Sequence, residues 1–211
     1  MDSPSSCLDG SSAPVVADTS VVINLNASRI SDTILDVLPN RFLVVDQVLA
    51  ELETGQRNEH IDFHKLSGLV AQGRVEIVQL GDAENPNYDS LVNDVTSESL
   101  GDGEAATIAF AHGRCAVALV DDRKALRIGA ERFRDLSLGC SLDLFTQRDV
   151  RSELGCEGLK DAIYNALEVG RMRVSSDAAR WVVDLIGAER ASSCRSLARH
   201  LRQFTTLRPE P

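Results

Sequence analysis

Asp18 ends the apolar run Val15-Val16-Ala17, and Asp121-Asp122 end the run Ala116-Val117-Ala118-Leu119-Val120. Glu51 and Glu53 follow a third apolar run, Phe42-Leu43-Val44-Val45, by one or two helical turns. Glu104 sits in the turn Gly101-Asp102-Gly103-Glu104 that opens an alanine-rich stretch. Taken singly, each acid reads most simply as a helix cap or a surface charge. Their joint placement says more, because two carboxylates about 4 Å apart repel by about 4 kcal/mol at an effective dielectric of about 20. Four such groups in one crevice require protonation or cations, so convergence implies hard divalent ions held by oxygen. Arg123 and Lys124 follow the strand-end acids directly. Basic groups there usually form a solvated helix face, but they also stand where a phosphate would be neutralised.

Other chemistries fit less well. His60 and His64 are four apart, a zinc-compatible spacing, but no third ligand lies nearby and a solvated helix face is the simpler reading. The glycines at 101 and 103 lack a GxGxxG pattern or a following Lys-Ser/Thr, which excludes a nucleotide-cradling loop of that kind. A phosphotransfer role with Asp18 as nucleophile lacks a second Asp two residues on, where Ser20 stands.

The elements that must position these acids follow from the hydrophobic pattern. Short, continuously apolar runs at 15–17, 42–45 and 116–120 predict strands, the first covered on both faces, with Val75-Glu76-Ile77-Val78 as another and a further strand and turn over 136–144. Helical spacing is expected after residue 18, over 30–38, 47–54, 60–72, near 88–97, from 104 and from 123, with Asp46 as an N-cap. Strands alternating with helices predict a three-layer α/β/α fold with a mostly parallel central sheet. In such a fold the carboxyl ends of the strands face the ligand crevice. Amphipathic helices over 157–170 and 177–204 follow. The expected organisation is a disordered leader at 1–13, a catalytic-type domain at 14–174 and a helical C-terminal extension at 175–211.

Composition bounds the function. The chain of 211 residues is 43% hydrophobic but only 4% aromatic, as suits a core of Val, Leu, Ile and Ala. Its net charge of -10 argues against gripping nucleic acid by a bulk positive field, though not against an enzyme whose acids hold metal. Residues 1–150 hold 24 acidic and 12 basic side chains, whereas 151–211 hold 8 and 10, so the acidity lies in the sheet-containing part. No apolar run could span a bilayer and the first residues lack a signal peptide's basic region, so a cytoplasmic protein is expected. Cys7, Cys115, Cys140, Cys156 and Cys194 read as reduced thiols, with Cys115 and Cys140 expected to be buried. The tail's apolar residues, among them Val182, Val183, Leu185, Ile186, Leu197 and Leu201, exceed what one packed face needs. That surplus suggests contact with another protein or a second copy, hence a homodimer, and Arg190, Arg195, Arg199 and Arg202 suit an acidic partner or substrate RNA.

Four segments resemble the acidic motifs of PIN-domain ribonucleases, in order and over about residues 14–150. They are Val16-Ala17-Asp18-Thr19-Ser20-Val21-Val22, Val48-Leu49-Ala50-Glu51-Leu52, Gly101-Asp102-Gly103-Glu104-Ala105-Ala106 and Leu119-Val120-Asp121-Asp122-Arg123-Lys124-Ala125. The resemblance implies a Mg²⁺- or Mn²⁺-dependent endoribonuclease, often the toxin of a toxin-antitoxin pair, with RNA as substrate and a protein antitoxin as partner. By position it implies Asp18, Glu51, Glu104 and Asp122 as catalytic acids, with Asp18 and Glu104 on the metal. Asp121 or Asp122 is the fourth ligand, and the motif leaves that choice open. Ser20 matches a supporting hydroxyl, and Arg123 and Lys124 would bind phosphate. Only the resemblance favours Glu51 over Glu53. The rival expectation is a catalytically silent PIN-like module that acts through protein contacts.

Overall fold

The computed structural model describes residues 4–55, 57–93 and 98–206. The first three residues of the expected leader, the end of the helix expected to reach residue 97, and residues 207–211 of the extension lie outside them. In chain order the elements are β1 (Val15–Ala17), α1 (Thr19–Ala27), α2 (Ser31–Val37), β2 (Phe42–Val45), α3 (Asp46–Thr54), α4 (Arg57–Ala71), β3 (Val75–Val78) and α5 (Asn85–Val92). They continue with α6 (Asp102–Gly113), β4 (Val117–Leu119), α7 (Arg123–Arg132), β5 (Ser137–Gly139), α8 (Ser141–Thr146) and α9 (Arg148–Glu168). The chain then forms α10 (Ser176–Ile186), α11 (Ala188–Ser193), a 3-10 turn (Arg195–Leu197) and α12 (Ala198–Thr206).

The five strands form one all-parallel sheet in the order β3-β2-β1-β4-β5. Every residue of β1, β2 and β4 is buried, which is why those runs are apolar without alternation. The edge strands β3 and β5 are only partly covered. Helices pack on both faces: α1 contacts both α4 and α9, while α6 packs on β1, β2 and β4 and carries α5 and α7 with it. The fold is therefore the expected three-layer α/β/α arrangement. Its strand order reverses at β1, whose neighbours β2 and β4 are reached by crossovers in opposite directions. Crevices open at such a switch point, beyond the carboxyl ends of the strands. Ala17 is in register with Leu119, and the Asp18 amide donates to the Leu119 carbonyl at 3.1 Å, so Asp18 and Asp121 leave adjacent strands at nearly the same height.

Several expectations need correction. Residues 4–13 are packed, not loose: Leu8 is fully buried, the Cys7 amide donates to Asp143 Oδ1, Ser6 Oγ donates to the Asp143 carbonyl and the Arg148 amide donates to Asp9 Oδ1. One large apolar side chain and three polar anchors suffice where composition alone shows little to bury. Asp46 begins α3 instead of capping it, since Val45 is the N-cap residue. The long helix expected over 177–204 breaks at Gly187 (φ 86°) and again at Cys194, giving separate segments. Their apolar surplus goes into the chain's own core: Val182, Ile186 and Leu197 are buried in the cluster that includes Val16, and Val183, Leu185 and Leu201 pack against it. The boundary expected at residue 174 thus marks no break in the core. Among the described residues the large exposed hydrophobics are Ile61 and Val169. Cys115 is exposed and Cys140 only half-buried, whereas Cys194 is buried. Cys115 adopts φ 52° in the turn entering β4, outside the buried run. His60 and His64 lie on a solvated face. No helix of the described residues is long and apolar enough to cross a membrane.

Candidate metal-binding active site

Asp18 does two jobs with two oxygens. As N-cap of α1 it accepts the Val21 amide on Oδ1 at 2.8 Å, as strand-end acids commonly do. Its Oδ2 is buried with no hydrogen-bond partner, in a residue only 1% exposed. A buried carboxylate oxygen left unpaired is costly, so capping does not account for the whole side chain. Burial raises its pKa well above the ordinary value, the neighbouring charge of Asp121 adds to this, the Val21 amide opposes it, Glu104 adds further, and the Asp121 amide opposes.

Asp121 is buried and held on both oxygens. Oδ1 accepts the Ser141 amide at 2.8 Å, and Oδ2 accepts Ser141 Oγ and Asn24 Nδ2, each at 2.6 Å. Burial raises its pKa, and the Ser141 and Asn24 donors pull the other way. Asp122, half-buried, caps α7 by accepting the amides of Lys124 (2.8 Å) and Ala125 (3.3 Å) on Oδ1 and pairs with Arg173 through Oδ2 at 2.5 Å. Burial tends to raise its pKa, but the Arg173 guanidinium and the two amides outweigh that and hold it below the ordinary value.

Glu104, in the first turn of α6, is half-buried. Its pKa is raised by burial first and then by the charge of Asp122, against the Gly101 amide, with Glu51 adding to the rise. Glu51 reaches over from α3. Oε1 accepts the Gly103 amide at 2.8 Å, and Oε2 accepts the Thr19 hydroxyl. Gly103 must be glycine for this: a Cβ there would stand 2.6 Å from Glu51 Oε2 and 3.0 Å from Thr19 Oγ1. Glu53, on the same helix, is exposed. The structure thus separates the two glutamates that helical spacing could not.

Glu104, Asp121 and Asp122 border a crevice of about 280 Å³ that Ser20, Asn24, Gly170, Arg171 and Arg173 also line, whereas Asp18, buried beneath, and Glu51 are not part of its lining. Ser20 is exposed at its mouth. Lys124 does not line it; its ammonium donates to the Ser99 carbonyl, although its charge still reaches Glu104. Arg123 is exposed beside a neighbouring basic concavity. A larger concavity, about 450 Å³ and lined by Leu159, Trp181 and Leu185, gathers no acids.

Thr19, Asn24, Gly103, Ser141 and Arg173 escaped sequence reasoning. Asn24 carried a signal, being polar inside the apolar stretch Val21-Val22-Ile23-Asn24-Leu25, where a buried amide must have a partner. Arg173 carried none, because its partner lies 51 residues away.

The residues present fit a hard divalent cation. The donors are all oxygen, one buried carboxylate oxygen is unpaired, and three neighbouring carboxyls have pKa values raised by burial, which Lys124 at Glu104 and Arg173 at Asp121 only partly offset. Among the described residues no three acidic, histidine or cysteine side chains stand close enough together to hold an ion as they are. Side-chain and backbone donors orient Asp121, Asp122 and Glu51.

A family model described as PIN domain matches residues 14–138. Among solved structures, the chain is similar to one in the crystal structure of VapBC2 from Rickettsia felis bound to a DNA fragment from their promoter. The likeness is at 18% identity with a TM-score of 0.43, and covers 60% of this chain and 97% of that one. At that score it carries no argument here. No curated protein matches the chain. The family match spans more than half of the sequence and takes in all four acidic segments, so the chain belongs to the PIN-domain family.

Proposed function

We propose that this protein is a Mg²⁺- or Mn²⁺-dependent endoribonuclease with its centre at the crevice between β1 and β4. The observation that carries the reading is the unpaired, buried Asp18 Oδ2 beside Asp121 and Glu104, whose carboxyls are likewise pushed toward protonation. Asp18 and Glu104 would hold the ion, with Asp121 or Asp122 as a further ligand and Glu51 engaged directly or through water. When bound, the ion supplies a more acidic water and offsets negative charge on the phosphoryl oxygens in the transition state.

The chain's own residues do the positioning. Ser141 and Asn24 fix the orientation of Asp121, and Thr19 with the Gly103 amide fixes Glu51. Arg173, paired with Asp122 at the rim, presents the rest of its guanidinium to the crevice, where an incoming phosphate can accept from it. Water adds across the phosphodiester: a bond forms from its oxygen to phosphorus, the bond to the leaving oxygen breaks, and a proton ends on that oxygen. Within this reading the family's frequent toxin role gives the expected setting, with a protein antitoxin as partner and the cytoplasm as its place of action.

The test is cleavage of single-stranded RNA oligonucleotides by the purified full chain. Cleavage should require Mg²⁺ or Mn²⁺ and be lost in Asp18→Asn and Glu104→Gln. Undiminished cleavage in excess chelator or in Asp18→Asn would overturn the assignment. A protein that neither cuts RNA nor is stabilised by millimolar metal would instead be a protein-binding module.

A further inference from the structure

Beyond the acidic crevice lies a second concavity of about 500 Å³, bordered by Arg123, Arg171, Arg173, Arg195 and Arg199. Arg171 and Arg173 line both, so the two adjoin. Several arginines elsewhere are paired: Arg41 with Glu76, Arg74 with Asp36, Arg114 with Glu84, Arg127 with Glu98 and Glu131, and Arg190 with Asp161. Among the described residues Arg123, Arg171, Arg195 and Arg199 have no acidic partner. Four unpaired guanidiniums facing one hollow, in a chain of net charge -10, repel one another unless an anion lies among them. The backbone adds to this. Arg171 is held at φ 59°, in the left-handed region that a long side chain seldom adopts, by a turn in which the Met172 amide donates to the Ala166 carbonyl at 3.0 Å.

We propose that this basic concavity binds the phosphodiester backbone of the substrate strand next to the bond that is cut. This rests on the ribonuclease reading and extends it. A strand whose scissile phosphate lies at the acids must lay its neighbouring phosphates on the rim, and Arg171 and Arg173 make the basic side of that rim. Guanidinium forks match phosphate oxygens in pairs and carry no base preference when they contact the backbone. The concavity also explains how an acidic protein holds RNA: the basic excess is local, built largely by residues beyond the family match, which ends at residue 138. Arg195 and Arg199 come from the 3-10 turn and α12, so the C-terminal helices would be part of the substrate site.

The experiment uses the full chain carrying Glu104→Gln, so that RNA is bound but not cut, and a fluorescein-labelled single-stranded RNA of twelve nucleotides. Anisotropy titrations over a range of salt give the slope of log K against log salt. Arg195 and Arg199 are exposed, so Arg195→Gln/Arg199→Gln should fold as the parent does. It should bind about tenfold more weakly at low salt, with the slope shallower by about 1.4, since each lost phosphate contact on a single strand removes about 0.7. Arg195→Lys/Arg199→Lys should restore the slope. In the cleaving protein, the double glutamine variant should lose kcat/KM on the twelve-nucleotide strand and keep it on a dinucleotide, which reaches only the acidic crevice. An unchanged salt slope in a protein that still cuts RNA would overturn this inference and leave the nuclease reading standing. A parent chain that neither binds nor cuts RNA would overturn both. Binding of an acidic peptide in preference to RNA would reassign the concavity to a protein partner.

Discussion

The sharpest consequence of the Asp18 geometry concerns stability without metal. Asp18→Asn keeps the carbonyl oxygen that accepts the Val21 amide, and Asn ranks with Asp as an N-cap, so α1 should keep its start. What the substitution removes is a buried charge facing Asp121 and Glu104. A carboxyl whose pKa is raised on folding keeps its proton after the unfolded chain has lost it. Wild-type stability therefore falls as pH climbs from the unfolded value through the folded one, by about 1.4 kcal/mol for each unit of elevation. In chelator, the variant should match wild type near pH 4 and melt progressively higher than it as pH approaches about 8. Metal should reverse the ranking. An ion at a hundred times its Kd adds about 2.7 kcal/mol, which for a chain of this size is roughly 5–10 °C in Tm, and the variant should gain almost none of it. Thermal melts of both proteins, with Mn²⁺ and with chelator, at several pH values, provide the measurement. A variant that melts below wild type near pH 8 in chelator, or that gains as much from Mn²⁺ as wild type does, would refute the reasoning.

Further outcomes follow from neighbouring contacts. Gly103→Ala should push Glu51 off the Gly103 amide and cost about 1–3 kcal/mol in urea denaturation, whereas Glu53→Gln, on the exposed side of α3, should stay within about 0.5 kcal/mol of wild type. Arg173→Met should return the Asp122 carboxyl toward its ordinary value. The stability that its lowered pKa contributes, present above the unfolded pKa and lost as pH falls through the folded one, is no more than about 1 kcal/mol for so exposed a pair. Urea midpoints at pH 4 and 7 should therefore differ less in the variant than in wild type. Leu8→Ala should cost about 2–5 kcal/mol despite its place near the chain start, and equal urea midpoints would mean that the segment is not part of the core.

Much of the layout was legible because the relevant physics is local. Strands β1 and β2 begin and end where their apolar runs do, and the positions of Asp18 and Asp121 at strand ends follow from the same pattern. The parallel sheet follows from strands that must be covered on both faces. Less was legible wherever two distant segments meet. Helical spacing leaves Glu51 and Glu53 equivalent until Gly103 is placed above one of them. The adjacent acids Asp121 and Asp122 look alike in sequence, yet one is buried among Ser141 and Asn24 and the other turns to Arg173. Whether a tail helix covers its own domain or another molecule depends on tertiary packing that an amphipathic pattern cannot reveal. The breaks at Gly187 and Cys194 fold that tail back onto its own chain.

Asn24 lies between Asp121, which it holds, and Gly170, whose missing side chain gives it room: a Cβ there would stand 2.3 Å from Asn24 Oδ1. This contact sets an order of events during synthesis. All the crevice acids have been made once residue 122 is added, but Ser141, the backbone at 170 and Arg173 come later. At roughly 5–20 residues per second, the ribosome needs a few seconds to go from residue 122 to residue 173. Until then Asp121 lacks its Ser141 donors, and Asp122 lacks its guanidinium partner. The nascent chain thus carries its acids before it carries the groups that orient them, and a protein that cuts RNA would emerge with its reactive centre incomplete while it is still attached to an RNA-rich machine.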